Sequence, residues 1–197
     1  MKRLTLVLLG VLAGGVANAG PASYLELGYI SGGKNGENGS GSEDGFEFAG
    51  SYAFNDRWYA GGAIGSYERP GDVDNDDINI NGGATWGMTE RTDLITELGF
   101  WGGEQDTPGL DTDPTALEIK TGVSTAVTDQ FSLFGTISLV FGDLDTPVDD
   151  DLRNFVWSAG GAYSFTPNFS VNLKIVEGSN GVNGQDDIVR IGGRWTF

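Results

Sequence analysis

The sequence predicts an all-β fold: an antiparallel up-and-down transmembrane β-barrel of ten strands, with eight as the alternative count. Three observations predict it. Apolar and polar residues alternate along nearly the whole chain beyond residue 20, which is strand periodicity. The links between alternating segments switch regularly between short and long. Aromatic residues gather beside the short links, on the apolar face.

Ten segments carry the alternation: Ser23–Ser31, Gly45–Phe54, Trp58–Glu68, Ile78–Met88, Thr92–Gly102, Thr115–Val127, Phe131–Gly142, Asn154–Phe165, Phe169–Gly178 and Asp187–Phe197. Most are near the ~9–11 residues that a tilted membrane strand requires. Four links are three-residue turns, Asn55–Arg57, Thr89–Arg91, Thr128–Gln130 and Thr166–Asn168. Each sets its flanking residues on the same face of paired strands, in agreement with the alternation on either side. The other five links, 32–44, 69–77, 103–114, 143–153 and 179–186, are longer, polar and rich in Gly, Asp and Asn. Short turns at one end and long loops at the other is the asymmetry of an outer-membrane barrel.

One face of these segments carries Leu25, Leu27, Tyr29, Phe46, Phe48, Ile78, Ile80, Leu98, Phe100, Ile119, Leu133, Ile137, Leu173, Ile175 and Ile191, among others. The opposite face carries Glu26, Glu47, Tyr59, Asn79, Asn81, Asp93, Glu97, Glu118, Lys120, Asn172, Lys174, Arg190 and Arg194, spaced by small residues. A soluble β-sandwich would turn the first face inward; a membrane barrel turns it to lipid and packs the charges inside. Periodicity alone does not separate the two. The aromatics favour the barrel: Phe54, Trp58, Phe131, Phe165, Phe169, Trp195 and Phe197 lie at the short-turn end on the apolar face. That is an interfacial girdle, for which a sandwich has no use.

The first residues supply the compartment. Lys2 and Arg3 precede an apolar run from Leu4 to Val16, and Ala17-Asn18-Ala19 fits a secretory cleavage site. Residues 1–19 are therefore expected to be a cleaved signal peptide, leaving 20–197 as one barrel domain. The apolar run is shorter than the ~20 residues of a helical span. The chain has no cysteine, so no disulfide staples it. It carries 28 acidic against 11 basic residues, a formal charge of −17, which argues against nucleic acid as a partner.

The last segment, Val189 to Phe197, ends mid-pattern on an aromatic. A closed barrel must pair its last strand with its first, because an unpaired edge is not tolerated in lipid. Val189, Ile191, Trp195 and the terminal Phe197 resemble the C-terminal signature of small bacterial outer-membrane β-barrel proteins of eight to ten strands. Gly193, where an apolar side chain is usual, departs from that signature, and Trp195 sits where Tyr is commoner. The resemblance implies residence in the outer membrane of a Gram-negative bacterium. It also implies that Trp195 and Phe197 form the signal read by the barrel-assembly machinery, and that lipid and lipopolysaccharide are the surroundings.

Histidine is absent, as is cysteine. Ser-His-Asp triads, Cys-His pairs and imidazole-based zinc sites are therefore excluded. The outer-membrane proteases, phospholipases and lipid A deacylases that share this architecture rely on a histidine. No catalytic residue is assigned, and no enzyme is expected. Glu26, Glu47, Asp93, Glu97 and Glu118 face Lys120, Lys174, Arg190 and Arg194, which reads as a charge-paired plug, since buried charges need partners. Acid–base work by Asp93, Glu97 and Glu118 is the weaker reading.

Most of the remaining carboxylates fall in the long links. If those links face outward, weakly bound divalent cations can bridge them to lipopolysaccharide phosphates. The best local cation candidate is Asp72, Asp74 and Asp76, which fit the first positions of a calcium loop. The fit then breaks, with Asp77 in place of Gly and Gly83 in place of the bidentate Glu. A solvated acidic loop is the ordinary reading. The run from Gly32 to Gly45 lacks the Lys-Ser/Thr ending of a phosphate cradle and reads as a mobile loop. No cofactor is expected. The functional expectation is a non-enzymatic structural or surface-interaction barrel, with a narrow cation-preferring pore as the alternative. Ligand, surface partner and oligomeric state have no signature in the chain.

Overall fold

A computed structural model describes residues 23–36, 39–69, 73–107, 110–144, 150–178 and 188–197. The signal peptide expected over residues 1–19, the link 179–186 and Asp72 lie outside the described residues. The strands are β1 (Tyr24–Gly36), β2 (Gly39–Ala53), β3 (Trp58–Arg69), β4 (Val73–Gly87), β5 (Thr92–Thr107), β6 (Leu110–Thr112), β7 (Thr115–Ala126), β8 (Phe131–Leu144), β9 (Asp150–Ser164), β10 (Phe169–Gly178) and β11 (Ile188–Thr196).

Ten of them are barrel staves, each antiparallel to its neighbours in chain order; β6 is a three-residue flap paired to the end of β5. The ring closes between β1 and β11, from Tyr24 opposite Thr196 to Gly32 opposite Ile188. Phe197 N–H adds a 3.0 Å bond to the Ser23 carbonyl. No stave presents a free edge, which is the condition for a sheet in hydrocarbon. The strand count is ten and not eight.

The four tight turns share one geometry. Phe54, Met88, Val127 and Phe165 each donate a backbone bond across the turn, to Trp58, Thr92, Phe131 and Phe169 at 2.8–3.0 Å. The first turn residue explains why. Asn55 Oδ1 accepts from the Arg57 and Trp58 amides, and Thr128 Oγ1 from those of Gln130 and Phe131. Short polar side chains that bond their own backbone a few residues on are what initiates such turns.

Alternation sorts the staves as read from the sequence. Leu27, Phe46 and Ile80 point outward and are 59%, 62% and 61% exposed, whereas Ile30 points inward at 1%. At the short-turn end the outward aromatics pack edge to face, Tyr52 on Phe54 at 5.5 Å and Tyr163 on Phe165 at 4.9 Å. Arg57 caps the Trp86 ring at 4.5 Å. Ring bodies on an apolar belt with cations at its rim suit a membrane interface.

The long links differ from the expectation. Pairing of β1 with β2 continues to Gly36 opposite Gly39, and that of β3 with β4 to Arg69 opposite Val73. Much of 32–44 and 69–77, read as loop, is therefore strand, and the run from Gly32 to Gly45 is mostly a hairpin. The physical reason is that hairpins rising beyond the apolar belt need no apolar face. Their alternation fades while their ladder bonds persist.

Candidate functional site

The inward faces define a lumen whose charged side chains come from both ends of the chain. Glu26 on β1 lies directly opposite Arg194 on β11, and Arg194 Nε donates to Glu26 Oε2 at 2.7 Å. The same guanidinium lies 4.0 Å above the Tyr24 ring, a cation–π contact that fixes its plane. Arg190 reaches across β1 to β2, with Nη1 2.7 Å from Glu47 Oε2. Gly28, opposite both Glu47 and Gly192, supplies the bare backbone over which this pair passes.

A second cluster lies on the far wall. Lys120 on β7 pairs with Glu97 on β5 at 2.7 Å and with Glu118 on its own strand at 3.3 Å. Glu97 also accepts from Tyr59 Oη at 3.0 Å and from Asn81 Nδ2 at 3.2 Å. Tyr59 lies opposite Gly83, and a Cβ at Gly83 would fall 2.6 Å from the Tyr59 hydroxyl. The glycine is the space the ring occupies, a cross-strand arrangement in which an aromatic covers a bare neighbour.

The pairing expected from sequence does not extend to every member. Asp93, opposite Gly87 and Ser124, has no basic partner among the described residues, because its neighbours near the short turns are small and neutral. Lys174 has neither ion pair nor hydrogen bond among the described residues. It faces Arg190 on one neighbouring strand and Gly160 on the other.

Several lumen residues were not singled out as such from sequence. Asp77 points inward and accepts from the Tyr67 hydroxyl and from Trp101 Nε1, the latter at 3.2 Å. Beside it, Ile30, Tyr67 and Ile188 form a small apolar cluster against Val176. A readable signal existed: Tyr29-Ile30, Phe100-Trp101, Ile175-Val176 and Ile188-Val189 are apolar doublets toward the long-link ends of their strands. In a two-residue period, one member of each doublet must face inward.

The charges do not fill the barrel. A cavity of about 360 Å³ remains, lined from Glu104 and Pro114 at the long-link end to Glu26, Tyr24 and Arg194. Inward Ala49 and Ala63, directly opposed on β2 and β3, border it and leave the room. Inward residues nearer the short turns, such as Asp93, Ser124 and Phe134, do not line it. The pocket therefore approaches the long-link end and stops short of the turns.

Of the cation candidate, Asp72 lies outside the described residues, and Asp74 and Asp76 lie on a strand. Residues 73–87 form the extended strand β4, not a loop curled about an ion. Asp76 is exposed on the outward face while Asp77 faces the lumen. An extended strand spaces residues 74 and 76 by ~6.5 Å along its axis, whereas a calcium loop curls its ligands about one ion.

A closed ten-stave ring, apolar outside and ionic inside, is the architecture of a small bacterial outer-membrane β-barrel. No family model matches the chain, and no curated protein matches it. Solved structures do. The β-domain of the Bordetella autotransporter BrkA aligns with a TM-score of 0.50 at 12% identity, over 90% of this chain and 100% of that one. The KdgM porin aligns at 0.48 with 8% identity, covering 88% and 99%, and Yersinia pestis Ail at 0.45 with 13%, covering 89% and 99%. At these identities the likeness concerns fold.

Proposed function

We propose that this chain resides in the outer membrane as a non-enzymatic barrel, structural or surface-interacting, whose ion-paired lumen conducts poorly. The observation that carries the reading is the set of close pairs, Arg194–Glu26, Arg190–Glu47 and Lys120 with Glu97 and Glu118. Tied side chains narrow the axis, and most of their charge is offset within the pairs. At the long-link end, exposed Glu68, Asp76 and Glu104 would meet lipopolysaccharide phosphates through divalent cations.

Planar-bilayer recording of the purified protein tests this. A quiet bilayer is expected. Stable cation-selective steps would establish the second reading, a narrow pore, which is favoured by the cavity and by Asp77 and Asp93, acids without a cationic partner among the described residues.

Trp195 and Phe197 on the closing strand are proposed as the contact for the barrel-assembly machinery. Deleting Phe197 removes both a girdle ring and the closing bond to Ser23. The heat-modifiable, assembled fraction in outer membranes should fall several-fold; unchanged assembly would count against the assignment.

A further inference from the structure

We propose that the lumen cavity is a binding site for one small monocarboxylate, held by Lys174. Lys174 and Arg190 are directly opposed on β10 and β11. Two cations so placed repel unless an anion lies between or beside them. Arg190 has its carboxylate, Glu47 at 2.7 Å, but Lys174 has none within ion-pair distance among the described residues. On its other side stands Gly160, which supplies no charge. Charge balance at this wall is one anion short.

Two further donors at the same wall are left without acceptors. Among the described residues Arg190 Nε, on the cavity lining, is buried with no hydrogen-bond partner; so is Asn172 Nδ2, beside the lining and two residues from Lys174 on the same face of β10. Leaving buried donors without acceptors is costly, so such a wall calls for an acceptor. Lys174, Arg190 and the cavity share one surface, and the cavity of about 360 Å³ lies in the size range of small-molecule sites.

The charge of the ligand follows from the rest of the lumen. Glu26, Glu47, Asp77, Asp93, Glu97 and Glu118 already outnumber the four cations. One negative charge matches Lys174; a second would meet no unpaired cation, since Lys120, Arg190 and Arg194 already have their carboxylates. Two oxygens on a planar group also match donors spread over two strands better than a single halide. The site stands whether or not the lumen conducts, because it needs access from the long-link end only.

The probe is trifluoroacetate, observed by ¹⁹F NMR with the folded barrel in uncharged detergent micelles. The fluorine line should broaden with the native barrel and sharpen again on adding acetate. Chloride or sulfate at the same ionic strength should not displace it. Lys174→Met and Lys174→Gln should each weaken binding at least tenfold while Lys174→Arg retains it. Heat-modifiable migration identifies the folded variants, and Lys174→Gln carries the test if Lys174→Met does not fold. Equal broadening with the native and Lys174→Met barrels, or equal displacement by chloride or sulfate, would overturn the proposal.

Discussion

Ile137→Arg should lower stability by about 2–4 kcal/mol when the barrel is unfolded by denaturant from phospholipid vesicles. Ile137 lies midway along β8, on the outward face, opposite Thr121 and Trp157. Its side chain is 49% exposed, so nothing in the protein shields an arginine placed there. In hydrocarbon the guanidinium must snorkel toward a headgroup from the deepest point of the belt. Leu133, two pleats nearer the turn and one pleat from Phe131 in the aromatic girdle, offers a shorter route. Leu133→Arg should therefore cost less, toward the ~0–1 kcal/mol of an interfacial site. This depth gradient is the diagnostic. An outward face in water would accept either arginine at nearly no cost, and a flat profile would remove lipid from the account.

The outward belt was legible in the sequence for the same reason that this gradient is expected. Lipid demands an apolar residue at every second position, and that demand prints a period of two from Leu25 to Ile191. Turn chemistry printed too, since Asn55 and Thr128 bond their own backbones with no help from distant residues. The hairpins above the belt were not legible. Between Gly32 and Gly45 only ladder bonds define the strands, and these leave no mark on side-chain choice. Within the lumen, the residue types were readable but their partners were not. Glu47 meets Arg190 across an intervening strand, at a separation of 143 residues, where only the glycines of β1 and β11 permit the crossing. Asp77 was read as part of an acidic loop because its neighbours are acidic, yet alternation alone sends it inward to Trp101.

Lys120→Met should cost about 3–5 kcal/mol, the usual penalty for stranding a buried charge. Lys120 serves two carboxylates, and its side chain is 25% exposed against 11% for Glu97 and 18% for Glu118. Removing it leaves two acids side by side with no cation. Glu97 would keep the bonds from Tyr59 and Asn81, whereas Glu118 would keep no ion pair. The penalty should consequently fall on Glu118. Adding Glu118→Gln to Lys120→Met should recover more stability than adding Glu97→Gln, as read from denaturant midpoints in the same vesicles. The triple neutral variant should return close to the native value, since a buried ion cluster offsets its desolvation only while complete. A Lys120→Met barrel as stable as the native one would mean that water enters this wall freely. Ion pairing would then have no part in holding the lumen, and the poorly conducting reading would lose its support.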